Sequence, residues 1–224
     1  KTYIGFFDKK MIKKVLKNYF KPDLIVASSV VTHLEKPQIF AKNIKEFLEK
    51  NGTLIIEIEY LQNFLKNFEF ERFYFDRPFY YSANSINRLF KNNGMQLYDI
   101  EKIDVHGGSL RCYIKNSSKY KVTKRCKNIL SDEKQKLNLQ AFKVFNKEIY
   151  RYSNILKKNL QQFKKDNLNV IGYGAPARVS TITNYSKINS NLIKYIIDDS
   201  PLKQNRFSPG MHIKIRPRKN NLNK

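Results

Sequence analysis

The 224-residue sequence predicts an α/β fold of two lobes. The first is an open, mainly parallel sheet ending in an antiparallel hairpin; a long linking helix then leads to a second, smaller α/β lobe. Three observations predict this. Residues 22–60 run strand, helix, turn, strand, an order that implies a right-handed crossover and a parallel sheet. Two apolar runs then flank His106-Gly107-Gly108, a turn compatible with a hairpin. Beyond a long helical segment, a fresh strand-turn-helix pattern begins near residue 169.

Taken in order, residues 8–19 place Met11, Ile12, Val15 and Leu16 on one helical face, with Asp8 as the N-cap. Pro22-Asp23 breaks that pattern, and Leu24-Ile25-Val26-Ala27 reads as a short buried parallel strand ended by Ser28 and Ser29. Helical spacing returns over 37–49. Asn51-Gly52 turns the chain into the β-branched strand Thr53–Glu59. Residues 82–93 form another helix stopped by Gly94, and residues 95–104 and Ser109–Lys115 form the hairpin strands. From Leu137 to Phe163, apolar residues recur every three or four positions, so 131–165 reads as one amphipathic helix capped by Ser131. Strands are expected at 169–171, 192–197 and 212–215, with a helix from about Ala177. The expected divisions are 1–118, 119–166 for the linking helix, and 167–224.

Composition narrows the function. The formal net charge is +24, from 43 Lys and Arg against 19 Asp and Glu. The lysines are spread along the chain among many Asn and Ile, the pattern of an AT-rich genome, so nucleic acid is not the expected partner. A positive field does suit an anionic pyrophosphate ligand. No apolar run approaches the ~18 residues of a membrane span. Cys112 and Cys126 lack C-x-x-C spacing, so neither a metal site nor a disulfide framework is indicated, and a reducing cytoplasm is the expected location.

Two sets of residues carry a family resemblance. Residues 22–60, with the strand-four block, the LEKNG turn and the strand-five block, resemble the later half of a class I (Rossmann-like) methyltransferase sheet. The second set occurs in order along the chain: Tyr74-Phe75-Asp76-Arg77, His106-Gly107-Gly108-Ser109-Leu110-Arg111, Gly172-Tyr173-Gly174-Ala175, Asp198-Asp199-Ser200-Pro201-Leu202-Lys203 and Pro209-Gly210. Together they resemble the deoxysugar C-methyltransferases, enzymes dependent on S-adenosylmethionine (SAM) that methylate a nucleotide-linked 4-keto sugar. The resemblance implies SAM as cofactor, a nucleotide-sugar as substrate, and zinc only in an N-terminal domain outside this sequence. The chain starts at Lys1, and only Gly5 and Gly52 precede residue 94, so no G-x-G-x-x-G loop can follow a first strand. The expectation is a fragment that begins inside a gene product, lacks half of the SAM site and binds SAM poorly by itself.

Methylation at carbon needs a base beside a ketone and donors for the developing oxyanion. The resemblance places a Tyr-His-Glu-His segment in the active site, with its last histidine as base. The matching residues here are Tyr74, Phe75, Asp76 and Arg77, and both histidines are gone. Arg77 stays protonated, so it can donate to an enolate or a phosphate but cannot accept a proton. The base then falls to His106, Tyr74 or Asp76, or else the acceptor is a hydroxyl or amine on a related sugar. His106 reads either as a base or phosphate donor, with Gly107, Gly108 and Ser109 contacting substrate, or as a turn histidine bonding locally.

Ser28, Ser29 and His33 stand where open α/β sheets bind ligands, and are expected to line the SAM edge; a packed His33 is the plainer alternative. Glu57 and Glu59 either face the cleft or solvent. Gly172 to Ala175 open a helix after a strand, so Tyr173, Gly174 and Ala175 are expected to cradle phosphate, with Arg178 pairing to pyrophosphate. A simple helix-start turn with a solvent-facing Arg178 is the alternative, as is strand-end capping for Asp198 and Asp199. The same glycines and Asp198 leave a dinucleotide-binding, oxidoreductase-like domain as a competing reading.

Overall fold

The computed structural model describes residues 1–218. Helix α1 (Lys9–Leu16) begins where its cap predicts. The Asp8 carboxylate accepts from the Met11 N–H at 2.8 Å, satisfying one donor that a helix start leaves unpaired. After the Pro22-Asp23 break come β1 (Leu24–Ser28), α2 (Pro37–Phe47) and β2 (Thr53–Glu59). β1 and β2 pair in parallel from Leu24↔Thr53 to Ser28↔Glu57, as a strand-helix-strand crossover requires.

Helices α3 (Leu61–Asn67) and α4 (Ala83–Lys91) follow, and Ser82 and Ser85 form a reciprocal capping box at the start of α4. β3 (Gln96–Ile103) and β4 (Ser109–Lys115) make the predicted hairpin. β4 inserts between β2 and β3, antiparallel to both, giving the order β1-β2-β4-β3.

Alternation in TLIIEIE separates the two faces of the sheet. Leu54, Ile56 and Ile58 are at most 1% exposed, whereas Thr53, Ile55, Glu57 and Glu59 face the other way, half-buried. The buried face continues through Leu110, Cys112 and Ile114 and packs beneath Ile44 of α2 and Ile86 and Phe90 of α4. The expectation of a buried β1 is corrected: Leu24 and Val26 are 54% and 61% exposed. Among the described residues β1 has one strand neighbour, β2, and its apolar run is covered mainly on the Ala27 side.

The single helix expected over 131–165 is also corrected. The chain forms α5 (Lys124–Lys136) and α6 (Leu139–Lys165), broken at Leu137-Asn138. Thr123 caps α5, its Oγ1 accepting from the Cys126 N–H at 3.1 Å, and Ser131 lies inside the helix. Two anchors hold α5 on the first sheet: buried Cys126, and Glu133, which is 1% exposed. The Glu133 carboxylate accepts from the N–H groups of Ala83 (2.6 Å) and Asn84 (2.8 Å) and from Asn84 Nδ2 (2.7 Å). A carboxylate at the N-terminus of α4 complements its dipole as well as its unpaired donors.

Contacts divide the chain into two units, Lys1–Asn63 with Asp76–Leu139, and Phe64–Phe75 with the residues from Gln140 onward. By these contacts the expected linking segment is shared, α5 going to the first unit and α6 from Gln140 to the second, and Phe64–Phe75 also goes to the second. The second unit contains α6, β5 (Gly172–Tyr173), α7 (Ala177–Ser186), β6 (Ile196–Ile197) and β7 (Ile215–Arg216), with parallel order β5-β6-β7. Its strands are shorter and later than the expected 169–171, 192–197 and 212–215. Leu192 and Ile193 donate to Asn189 O in a turn, so pairing starts only where Lys194 N–H meets Val170 O. Gly172 permits the close approach, since a Cβ there would lie 3.1 Å from Ile196 Cγ1. The aromatic residues of 64–75 pack within this unit: Phe70 on Tyr185 (5.1 Å), Phe73 on Phe145 (5.9 Å) and Phe68 on Tyr152 (6.0 Å).

Candidate active site

The carboxyl ends of β1 and β2 and the β3–β4 turn form one rim of the first sheet. Glu57 anchors it. Ser28 Oγ donates to Glu57 Oε2 at 2.7 Å, and Arg111 Nε donates to Oε1 at 2.7 Å. These two hydrogen bonds, Ser28 first, hold the Glu57 carboxyl below the usual glutamate range. The network continues across the sheet: Arg111 lies 3.6 Å from Glu101, whose carboxylate also accepts from Tyr113 OH (2.9 Å) and Arg125 Nη1 (3.1 Å). Arg125 pairs with Asp99 as well. The period-2 alternation of β2 admits either orientation for its glutamates; the structure turns Glu57 onto this polar face. Arg111, from the HGGSLR run, is its cation.

Beside this network, two contacts pin the Tyr74–Arg77 segment's last residues. Arg77 forms an ion pair with Glu59, both side chains largely buried at 14% and 10% exposure. His33, exposed in a 3-10 turn after β1, places Nδ1 2.9 Å from the Asp76 carbonyl oxygen. Asp76 itself is exposed, and Phe75 is 95% exposed. With its charge matched by Glu59, Arg77 acts here as an anchor.

His106 sits at the tip of the β3–β4 turn with φ +54° and contributes to the field at Glu57. Local bonding closes that turn: the Gly108 N–H donates to Val105 O at 3.0 Å, and the buried Ser109 Oγ donates to the same carbonyl at 2.9 Å. Gly108 has φ +105°, and a Cβ there would fall on Asn63 Nδ2 of α3. The space that the missing side chain opens is therefore taken by Asn63, while Gly107 stays exposed beside His106. Ser29 also adopts positive φ (+54°) and turns the chain away from β1, leaving Ser28 and Ser29 exposed at the strand end.

In the second unit, the turn expected to cradle phosphate is occupied by the protein's own carboxylate. Asp198 Oδ2 accepts from the Ala175 N–H at 2.7 Å and Oδ1 from the Ser200 N–H at 2.9 Å, and Lys203 Nζ lies 3.2 Å away. These backbone donors, Ala175 first, hold Asp198 below the usual aspartate range. Gly174 N–H donates to Ile197 O, and Tyr173 OH donates to Asp199 at 2.7 Å. An anion at the Ala175 N–H would meet a fixed negative charge. Next to this turn a cleft of about 570 Å³ is lined by Tyr74, Phe75, Ser180, Lys203, Arg206 and Phe207, among others. Arg178 is half-buried on α7 and is not among the lining residues; Arg206 and Lys203 are the cations that are. Arg206 was not legible in the sequence, because the loop between β6 and β7 has no hydrophobic period to place it.

The rim thus gathers Ser28, Ser29, His33, Asp76, Arg77, His106, Gly107, Gly108 and Ser109, while Tyr74 and Ala175 line the second unit's cleft. Among the described residues, no group of three His, Cys, Asp or Glu side chains could hold a metal ion. Burial pushes the Cys126 thiol up to about 11 and raises that of Cys112 further. No helix of the described residues is long and apolar enough to cross a membrane.

An antiparallel strand inserted beside the last parallel one is the arrangement of a class I, Rossmann-like methyltransferase sheet, and the comparisons agree with it. Residues 6–100 match the profile of a methyltransferase domain, and residues 104–224, over half of the chain, match that of the C-methyltransferase C-terminal domain. The chain belongs to the C-methyltransferase family defined by that C-terminal domain. It is similar to the C-methyltransferase NovU of Streptomyces niveus, 24% identical over 195 residues that cover 86% of this chain and 46% of that protein. The chain therefore spans about half the length of the curated relative it matches. Among solved structures it is similar to magnesium protoporphyrin IX methyltransferase of Synechocystis PCC 6803 with bound SAH (14% identity, TM-score 0.35, 46% of this chain and 48% of that one). It is also similar to the methyltransferase bound to the Haloferax volcanii Trm112 activator (14% identity, TM-score 0.41, 53% and 61%). The fold assignment rests on the strand order and the family profiles.

Proposed function

We propose that the protein containing this chain methylates a nucleotide-linked deoxysugar at a carbon next to a keto group, with SAM as methyl donor. Membership in the C-methyltransferase family over residues 104–224 carries this reading. SAM supplies an electrophilic methyl group; the residues here supply one wall of its site. Ser28 and Ser29 fit that part, being exposed at a strand's carboxyl end where open α/β sheets bind ligands. Glu57, tied to Ser28, fixes the geometry of that wall. The cleft of the second unit suits the nucleotide: Lys203 and Arg206 offer cations for pyrophosphate, and Phe75, Phe207 and Tyr74 offer faces for a base or sugar. A proton acceptor on the rim, where His33 and His106 both stand, completes what carbon methylation needs.

In the proposed organisation, residues 1–118 contribute the end of the SAM-binding domain, 119–166 the helical link and 167–224 the nucleotide-sugar lobe, and the protein works in the cytoplasm. One observation favours a second reading, transfer to oxygen or nitrogen: Phe75 and Arg77 replace the expected histidines, and Arg77 is held by Glu59. The test incubates the full-length protein with methyl-labelled SAM and a thymidine diphosphate 4-keto-6-deoxysugar. A new methyl bonded to ring carbon supports the proposal, a methyl on oxygen or nitrogen supports the second reading, and no transfer to any nucleotide-sugar rejects both.

A further inference from the structure

We infer that His33, rather than any residue of the Tyr74–Arg77 segment or His106, is the base that removes the proton from the substrate carbon. This rests on the keto-sugar reading above. The observation is the 2.9 Å contact between His33 Nδ1 and the Asp76 carbonyl oxygen. A carbonyl oxygen can only accept, so Nδ1 must carry the hydrogen, and the neutral ring then presents its lone pair at Nε2. A histidine whose tautomer is set in this way by a backbone carbonyl is prepared to take a proton without first rearranging.

The surroundings agree. His33 follows the carboxyl end of β1 by a few residues and is exposed, although its neighbours Val31 and Thr32 are buried and fix the turn that carries it. The Asp76 carbonyl is itself held, because the next residue, Arg77, is pinned to Glu59. The arginine that replaces a basic side chain in the motif thereby orients a different histidine through its neighbour's backbone. Arg77 is a positioning residue in this account. Among the described residues no hydrogen bond fixes the His106 ring, and that side chain stands on a positive-φ turn closed by its own backbone.

The step balances without the methyl donor. The C–H bond next to the ketone breaks, its proton passes to His33 Nε2, and its electron pair shifts through the carbonyl to give an enolate and an imidazolium. The imidazolium then returns the proton to water. Incubated in D₂O without SAM, the full-length protein should therefore exchange the hydrogen next to the ketone of a thymidine diphosphate 4-keto-6-deoxysugar, as read by NMR.

His33→Gln keeps an N–H for the Asp76 carbonyl and removes the base, so exchange should fall about 100-fold or more, within the usual range for general-base catalysis. Added imidazole should restore part of the rate in His33→Ala. Thermal unfolding midpoints of both variants control for folding. Exchange that survives His33→Gln overturns the inference alone. A wild-type protein that exchanges nothing overturns the carbon-methylation reading and this inference with it.

Discussion

The firmest energetic prediction concerns Glu133, which the structure buries to 1% exposure. Its carboxylate accepts three hydrogen bonds at 2.6–2.8 Å from Ala83 N–H, Asn84 N–H and Asn84 Nδ2. Hydrogen bonds to a charged group contribute about 1.5–3 kcal/mol each, offset by the cost of taking the carboxylate out of water. Glu133→Ala removes the acceptor and strands donors where water has little access. A loss of about 3–5 kcal/mol is expected, the range for breaking a buried charged network. Glu133→Gln retains one acceptor oxygen but turns an amide N–H toward a donor, so about half that loss is expected. The assay is urea unfolding followed by far-UV circular dichroism, in which a lower midpoint at unchanged slope reports stability. Glu133→Ala with a loss below about 1 kcal/mol would refute the reasoning, because that is the scale of an exposed ion pair.

Two further predictions follow from the site. Hydrogen bonds lower the Glu57 and Asp198 carboxyls in the folded state, so each contributes stability that is complete above its unfolded value and lost as pH falls through the lower folded one. Acid unfolding should therefore steepen below the ordinary Glu value of 4.5 for Glu57 and the Asp value of 3.8 for Asp198, and Glu57→Gln should flatten the first of these slopes in pH-dependent thermal melts. If the cleft receives pyrophosphate, Arg206→Ala should weaken thymidine diphosphate binding by about tenfold in calorimetric titration, the loss of one charge-assisted bond, while Arg178→Ala should change it little.

Much of the first unit was legible because its signals are local and periodic. The Asp8 cap, the Gly94 stop, the alternation in Thr53–Glu59 and the His106-Gly107 turn placed α1, α4, the central strand and the hairpin. What failed depends on partners distant in sequence. The exposure of β1 is a property of its neighbours, and Leu24-Ile25-Val26-Ala27 reads the same at an edge as in the middle of a sheet. The break at Leu137-Asn138 leaves the three-and-four spacing intact, since Leu137 and Ala141 stay in register across it. What the spacing also hides is Glu133 reaching α4, a contact across some 50 residues that no window detects.

The site was legible by residue type more than by role. Ser28, His33 and His106 do stand on one rim, but the Ser28 hydroxyl is committed to Glu57 and the Ala175 N–H to Asp198. The His33 to Asp76 carbonyl contact depends on a backbone oxygen, which sequence motifs do not record.

The most direct test of the account is the position of the transferred methyl group. With methyl-labelled SAM and a thymidine diphosphate 4-keto-6-deoxysugar, the full-length protein should yield a product whose labelled methyl couples to ring carbon in a heteronuclear NMR spectrum. A labelled methyl attached to oxygen or nitrogen, or no labelled nucleotide-sugar at all, would contradict it.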